Sequence, residues 1–163
     1  MQRLDFIDRS MNVLYWVVIA LLWLYTATNY FSLPGEIPIH FDWSGQPDNT
    51  GARYILWLLP AMATVIGVVF MVLERSPHIF NYPFEITKNN AERQYLLAVR
   101  LLKVLRISIA LLFSFVVYTI IEFVKTGESF NSIEFLLILL VLIIVPLGVY
   151  FYVAHRARKL GTD

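Results

Sequence analysis

The sequence predicts an all-α membrane protein: a bundle of four transmembrane helices with both chain ends in the cytoplasm and one ordered outer loop. Three observations support this fold class. Hydrophobic residues make up 58% of the 163-residue chain. Charged residues make up only 15%, against ~25% in soluble domains. Four apolar runs also reach the roughly 20 residues that a ~30 Å hydrocarbon layer requires.

The four runs cover residues 11–33, 54–73, 104–124 and 133–153. Each is continuously apolar rather than alternating, which favours helices over barrel strands. The first is too long, and its flank too bulky, for a cleaved signal peptide. Pro60 and Pro146 lie inside the second and fourth runs, where neighbouring helices can accommodate a kink. The whole chain, 1–163, is therefore predicted to be a single membrane domain.

The distribution of positive charge predicts the orientation. Of the 13 Lys and Arg residues, eleven flank one side of the predicted membrane, and only Arg53 and Lys125 flank the other. The side richer in Lys and Arg normally faces the cytoplasm. Both chain ends and the loop 77–90 are therefore expected inside, and the loop 33–53 outside.

The outer loop 33–53 is stiff and acidic. Three carboxylates (Glu36, Asp42 and Asp48) outnumber Arg53 and give it a formal charge of −2. Pro34 and Pro38 exclude a helical start. Apolar residues at 37, 39 and 41 alternate with other types, which predicts a short extended segment with its apolar side on the helix ends. Residues 44–45 and 46–51 are turn signals.

His40, Asp42 and Asp48 are the group in this loop that most resembles a chemical site. On a strand His40 and Asp42 share a face, and a turn can return Asp48 beside them. One imidazole and two carboxylates can hold a divalent cation. The same residues also suit a hydrogen-bonded clasp, with Asp48 capping a turn and His40 bonding the backbone, or general acid–base chemistry. The sequence leaves these alternatives open, and it predicts no other cofactor.

The loop 77–90 and the helix that follows it form the predicted cytoplasmic surface. Thr87 or Asn90 is placed to cap a long helix that continues into the third span. Its first turns are basic and amphipathic, which is typical of a helix lying on anionic lipid headgroups. Partner binding is the alternative. The basic residues predicted to face lipid are Arg93, Arg100, Lys103 and Arg106.

Polar residues near the spans have simple structural interpretations. Asn29 is expected to bridge two helices, or else to mark a functional interior position. Glu122 is expected to pair with Lys125 one turn later. The sequence has no cysteine and no HExxH, GxSxG or phosphate-loop motif, so these common catalytic classes are not indicated. The basic residues follow membrane orientation, and no nucleic-acid partner is predicted.

One string in the outer loop is similar to a known family signature. Its members are two prolines, a histidine, a glycine and a Pro-Asp pair among apolar residues: Leu33, Pro34, Ile37, Pro38, Ile39, His40, Phe41, Gly45, Pro47 and Asp48. The chain thereby resembles bacterial SdpI-type membrane proteins over an N-terminal module, 14–73, of two spans and a loop. The cytoplasmic residues His78, Phe80, Asn81, Tyr82 and Pro83 also look like short members of this group. Residues 74–163 then supply the cytoplasmic loop, the basic interfacial helix and a C-terminal pair of helices.

The resemblance implies a bacterial cytoplasmic-membrane protein that confers immunity or resistance to membrane-active peptides, or senses them. The best-known family members protect against a secreted killing peptide and sequester a repressor at the membrane. This chain is shorter than a typical immunity protein. The implied partners are the lipid bilayer, a peptide toxin and a cytoplasmic regulator, and an oligomer is compatible with the sequence. The alternatives are a small membrane enzyme or lipid-handling protein with its site in the outer loop, and a structural subunit of a membrane complex. An enzyme is the less favoured interpretation.

Overall fold

The computed structural model describes residues 6–128 and 131–159. These residues form five α-helices: α1 (Phe6–Tyr30), α2 (Leu58–Leu73), α3 (Ala91–Thr126), α4 (Ser132–Leu139) and α5 (Val145–Lys159). Two strands, β1 (Glu36–Phe41) and β2 (Pro47–Ala52), form an antiparallel β-hairpin between α1 and α2. Among the described residues, four helical segments, called rods below, are long and apolar enough to cross a membrane: Phe6–Tyr30, Arg53–Leu73, Ala91–Thr126 and Ser132–Ala157. This confirms the predicted number.

The rods give the molecule two ends. The β-hairpin lies at one of them, where Phe41 packs edge-on against Phe123 of α3 with ring centres 5.7 Å apart. The other end, called the tail end below, holds the start of α1, the end of α2 and the end of α5. There Lys103 of α3 contacts Asp8, and Gln94 of α3 donates to the carbonyl of Ala154. The central helix is α3, because α1, α2 and α5 all pack against it.

The contact between α1 and α2 depends on a glycine. Tyr15 of α1 is fully buried, and its hydroxyl donates to the carbonyls of Ala63 (3.2 Å) and Thr64 (3.3 Å) in α2. Its ring occupies the space beside Gly67, where any Cβ would overlap the ring. Pro60 lies in the first turn of α2, where backbone N–H groups have no intrahelical partner and a proline costs little.

The central helix α3 is continuous over 36 residues, about 54 Å at 1.5 Å per residue. Asn90 occupies its N-cap position, as predicted, but the Asn90 side chain bonds within the preceding loop instead of capping the helix. The helix ends at Gly127, whose φ of 73° is the left-handed conformation that commonly closes helices.

The bridge predicted for the last turn of α3 is present. The Lys125 ammonium donates to the Asn29 side-chain oxygen at 2.7 Å and lies 3.8 Å from the Glu122 carboxylate. Asn29 therefore links α1 to α3, and Glu122 pairs with Lys125. Both structural interpretations of these residues are confirmed.

The fourth rod changes its helical pitch next to a proline. Between α4 and α5 lies a π-helical segment, Leu140–Ile144, which ends two residues before Pro146. A proline lacks an N–H donor, and its ring clashes with the carbonyl four residues earlier. The wider π turn accommodates that missing hydrogen bond while the rod stays continuous.

The β-hairpin differs from the predicted outer loop in two respects. Residues 46–51 were expected to be a turn, but residues 47–51 of this segment belong to β2, which pairs with β1. Cross-strand pairing outweighs their turn propensity, and Pro47 takes the first strand position, where a proline is tolerated. Register shifts on both sides of His40 also break the expected alternation. Ile37 and Pro38 are buried, whereas Ile39 is exposed.

Candidate functional site

The turn of the β-hairpin is organised by Asp42. One carboxylate oxygen of Asp42 accepts hydrogen bonds from the Ser44 hydroxyl (2.6 Å), the Ser44 N–H (2.8 Å) and the Gln46 N–H (3.0 Å). These donors, the Ser44 hydroxyl first among them, hold the pKa of Asp42 below its usual value. Gly45 adopts φ 81°, which glycine reaches without strain. The turn is therefore closed by side-chain and backbone bonds together.

His40 and Asp48 form a separate pair across the two strands. The Nδ1 atom of His40 lies 2.5 Å from the Asp48 carboxylate, and both side chains are about half exposed or more. Because the register shifts at His40 and the turn engages Asp42, the three residues do not converge. The residues that the structure describes contain no group of three His, Cys, Asp or Glu side chains able to hold a metal ion. His40, Asp42 and Asp48 therefore do not form the predicted three-ligand arrangement in this structure, and metal binding by the loop stays a prediction.

The arrangement is instead a clasp, although its bonds differ from those predicted. Asp42, rather than Asp48, organises the turn, and His40 bonds a carboxylate rather than the backbone. The base of the hairpin is held by Arg53, which donates to the carbonyl of Leu33 at 3.0 Å and covers the ring of Tyr30 at 5.0 Å. Pro34 precedes the hairpin and the buried Pro38 lies within β1. The motif residues therefore build a stable hairpin.

A cavity of about 420 Å³ separates this hairpin from α3 and α4. Its walls are mainly aromatic and aliphatic, including Phe41 of β1, Phe115 of α3 and Phe135 of α4. Phe115 and Phe135 stack with ring centres 6.3 Å apart. The remaining lining residues are Ile39, His40, Asp42, Trp43, Val116, Thr119, Ser132 and Leu136. Volumes of 300–1,000 Å³ with a few polar groups are typical of small-molecule sites.

The cavity is closed on one side by a contact between the hairpin tip and α4. The Ser132 hydroxyl donates to the Trp43 carbonyl at 2.5 Å, while the Trp43 side chain itself is largely exposed. Asp42 contributes negative charge beside the apolar walls. Such a cavity can hold an apolar body and orient a polar or cationic group toward the hairpin.

At the tail end the structure assembles an ionic cluster, defined here as Asp8, Glu74, Arg100, Lys103 and Arg106. The Lys103 ammonium lies 2.9 Å from one Asp8 oxygen, and an Arg100 nitrogen lies 3.4 Å from the other. Arg106 bonds Glu74 at 2.8 Å. Burial raises the pKa of Glu74, although Arg106 acts in the opposite direction. The cluster thus ties together α1, α3 and the end of α2.

Arg106 is further enclosed on its α1 side. Its guanidinium donates to the Asn12 side chain and lies 5.2 Å from the centre of the Tyr15 ring. Side-chain exposure is 1% for Arg106 and 2% for Lys103. These two residues therefore do not face lipid as predicted, because α1 and α2 cover that side of α3. Arg93 is exposed, and Arg100 is partly exposed.

The predicted cytoplasmic motif folds onto α3 and α5. The Tyr82 hydroxyl donates to the carbonyl of Pro77 at 2.9 Å, and its ring packs 5.7 Å from that of Tyr95. Burial raises the pKa of Tyr82 to about 12. Asn81, Tyr82 and Pro83 line a cavity of about 350 Å³ with Tyr150 of α5. His78 lies outside this cavity, in the short 3₁₀ helix Pro77–Ile79.

Sequence reasoning missed the ionic cluster. Its only sequence signal is the position of Lys103 and Arg106 beside a long apolar run, where unpaired charges are costly. That signal does not identify the partners, since Asp8 lies 95 residues from Lys103. Arg3, Arg158 and Lys159 are among the eleven basic residues on which the predicted orientation depends. Arg3 lies outside the described residues, and the side-chain positions of the other two are not described.

The chain is similar to one known protein family and to one archaeal protein. Residues 17–64 match the family described as a domain of unknown function (DUF1648). An uncharacterized protein of Archaeoglobus fulgidus is 32% identical over an alignment 164 positions long, and the alignment covers 89% of this chain and 88% of the archaeal protein. Residues 17–64 are therefore a DUF1648 domain, and the chain belongs to the same family as this archaeal protein.

The DUF1648 match covers the second half of α1, the β-hairpin and the first turns of α2. It therefore includes the hairpin clasp but neither α3 nor the fourth rod. Neither description names SdpI-type proteins, so that relationship stays a prediction. No solved structure matches the chain.

Proposed function

We propose that this DUF1648 protein is embedded in a membrane with its tail end in the cytoplasm, and that its hairpin-end cavity binds membrane-active amphipathic molecules. By binding them, the protein neutralises or senses them. The cavity between the hairpin, α3 and α4 is the observation that carries this proposal. The motif-based resemblance to immunity proteins agrees with it.

The orientation is supported by the two ends of the molecule. Ten of the 13 basic residues belong to described tail-end segments, and among the described residues only Arg53 and Lys125 lie at the hairpin end. This asymmetry is the pattern of a cytoplasmic tail end. The hairpin and its cavity then lie on the non-cytoplasmic side of the membrane, at the membrane–water interface, where amphipathic helices accumulate.

The chemistry of the cavity favours a cationic amphipathic ligand. Its aromatic walls suit the apolar face of a helix, in the way that other proteins bind amphipathic helices in grooves. Asp42 lies in the lining, and Asp48 and Glu36 add negative charge on the same hairpin. Opposite charges on ligand and site speed association and favour the correct partner.

Binding of a defined peptide tests this proposal. The full chain, in nanodiscs of zwitterionic lipid, is titrated with a fluorescent helical peptide made of lysine and leucine, and anisotropy is recorded. Leu136→Trp, which adds bulk to a cavity wall, should weaken binding at least about tenfold, equivalent to ~1.4 kcal/mol. Leu137→Trp is the matched control, because Leu137 is the next residue of α4 and does not line the cavity.

A charge variant separates electrostatics from cavity filling. Asp48→Asn should weaken binding severalfold at low salt and less at high salt, because exposed charges are screened. Glu85→Gln, the same charge change in the tail-end loop, should leave binding unchanged. The proposal fails if empty nanodiscs bind the peptide equally well, or if Leu136→Trp and Leu137→Trp behave alike.

A cellular assay addresses neutralisation. Cells that lack the gene should become more sensitive to at least one membrane-active peptide. The wild-type gene and the Leu137→Trp gene should restore survival, whereas the Leu136→Trp gene should not. Equal survival of all four strains across a broad peptide panel would refute neutralisation, while induction of a neighbouring gene by the peptide would indicate sensing.

A further inference from the structure

The hairpin-end cavity, which lies between the β-hairpin, α3 and α4, is small for the ligand proposed above. Its volume is about 420 Å³. A helix that binds in a groove buries apolar anchors along about two turns. Since a helix with its side chains is ~10–12 Å across and rises ~5.4 Å per turn, the apolar half of two turns occupies roughly 420–610 Å³. Such a ligand fills or exceeds the whole cavity, so one wall must move to admit it.

Two of the three walls are firmly packed. The central helix α3 is covered by α1, α2 and α5, and its buried residues include Val117 and Ile120. The β-hairpin is anchored at its base, where Ile37 is buried and Arg53 donates to the carbonyl of Leu33 at 3.0 Å. Moving either wall would expose buried side chains or break several contacts at once.

The third wall, α4, is loosely held. None of its eight residues, Ser132–Leu139, is buried. Its contacts with the other walls include the stack of Phe135 on Phe115, with ring centres 6.3 Å apart. They also include the 2.5 Å hydrogen bond from the Ser132 hydroxyl to the Trp43 carbonyl, called the latch below. Lipid tails are as apolar as the cavity walls, so they can replace the apolar contacts that α4 loses on moving outward.

The chain beyond α4 contains a place where a helix bends easily. The π-helical segment Leu140–Ile144 follows α4 directly, and Pro146 lies two residues later. π-helical turns and prolines are the usual sites of helix bending. Beyond them α5 is fixed to α3, because Ala154 is fully buried and its carbonyl accepts a hydrogen bond from Gln94 at 3.0 Å. The helix α4 can therefore tilt while α5 stays in place.

We propose that α4 is a hinged gate of the hairpin-end cavity. It tilts outward about Leu140–Ile144, the latch breaks, and the amphipathic ligand enters between α4 and the hairpin. The outer side of α4 carries exposed apolar residues that suit lipid, Ile133 and Leu137. The gate therefore opens toward the membrane interface, where amphipathic helices lie. The identity of the ligand rests on the proposed function, whereas the opening of α4 can be measured without any ligand.

Thiol labelling measures the opening directly. The chain contains no cysteine, so Thr119→Cys places a single thiol in the cavity lining, at a position only 8% exposed. In nanodiscs, the rate of its reaction with a bulky dye maleimide is divided by the rate with small methyl methanethiosulfonate. Adding Ser132→Ala, which removes the latch, should raise this ratio about threefold or more, as expected for the loss of one hydrogen bond. Adding Ser114→Ala should not, because the Ser114 hydroxyl bonds within α3 and the residue does not line the cavity.

Locking the gate tests whether opening is needed for binding. Trp43→Cys and Ser132→Cys, joined by a short bifunctional methanethiosulfonate, tie the hairpin to α4. Linkage should weaken binding of the lysine–leucine peptide at least about tenfold, because apparent affinity falls with the population of the open state. Dithiothreitol should restore binding. The matched control joins Tyr152→Cys to Arg156→Cys, two exposed positions one turn apart on α5, where linkage should leave binding unchanged.

The two measurements decide the proposal separately. It is overturned if Ser132→Ala leaves the labelling ratio unchanged, if Ser114→Ala raises it equally, or if the locked protein binds the peptide as tightly as before linkage. If Thr119→Cys does not fold, as judged by circular dichroism, Val116→Cys supplies the lining thiol. If the wild type binds no peptide, the proposed function fails, but the labelling ratios still decide whether α4 opens. The two failures are therefore distinguishable.

Discussion

Replacing Asp8 with asparagine should destabilise the protein by leaving a buried ammonium without its carboxylate. Asparagine keeps the size of the side chain but removes the charge that Lys103 contacts at 2.9 Å, and the Lys103 side chain is only 2% exposed. Removing one partner of a buried ion pair costs about 3–5 kcal/mol. Arg100, the second cation at Asp8, is 29% exposed and can recover contact with water. We therefore expect about 3 kcal/mol, at the lower end of this range.

The free energy of unfolding can be measured by titrating the detergent-solubilised chain with sodium dodecyl sulfate while recording far-ultraviolet circular dichroism. Glu122→Gln is the control, because it breaks a half-exposed pair at 3.8 Å and should cost at most about 1 kcal/mol. Asp8→Asn combined with Lys103→Met should recover most of the loss, since apolar replacement of a buried pair is often tolerated. If Asp8→Asn costs no more than Glu122→Gln, or the double variant is no better than the single one, the pair is not buried as described.

Two further changes test the packing and the protonation described above. Gly67→Ala forces a Cβ into the ring of Tyr15 and should lower the unfolding free energy by about 1–3 kcal/mol. As the control, Gly148→Ala places its Cβ in open space and should stabilise the protein by up to about 1 kcal/mol. Equal effects of the two variants would contradict the close contact between Tyr15 and Gly67. Burial raises the pKa of Tyr82 to about 12 from 10.0. The contribution of the buried, protonated Tyr82 side chain to the stability of the fold should be complete below pH 10.0 and lost as the pH rises through about 12. The phenolate absorbance that Tyr82→Phe removes should appear over the same pH range. Absorbance that appears near pH 10.0 would refute the burial.

The parts of the fold that could be predicted from the sequence are those decided locally. A run of about 20 apolar residues is favoured in a membrane whatever the rest of the chain does, so the spans follow from composition. The N-cap position of Asn90 and the closing Gly127 likewise depend on a few neighbouring residues. The sequence also predicted that Asn29 would bridge two helices, although not that Lys125 would be its partner, because a polar group between apolar helices needs a hydrogen-bond partner.

The parts that could not be predicted depend on residues distant in the chain. Nothing near Lys103 or Arg106 indicates that α1 and α2 cover them, and lipid-facing and buried basic residues have the same local pattern. In the hairpin, Asn49 and Gly51 are typical turn residues, yet pairing with β1 makes them strand. The register shifts at His40 also depend on this pairing, so the sequence did not indicate that His40 pairs with Asp48 while Asp42 organises the turn.

The two ends of α3 separate stability from binding, and this gives the functional hypothesis a clear criterion. At the tail end, α3 contributes buried charges whose loss should destabilise the protein, so loss of function there says little about a ligand. At the hairpin end, the cavity wall Leu136 is 41% exposed, and the His40–Asp48 pair is also exposed. Changes at these residues should leave the unfolding free energy almost unaffected. A hairpin-end variant that keeps its stability but loses peptide binding therefore identifies a ligand site, whereas joint loss of both would indicate a structural role for the hairpin.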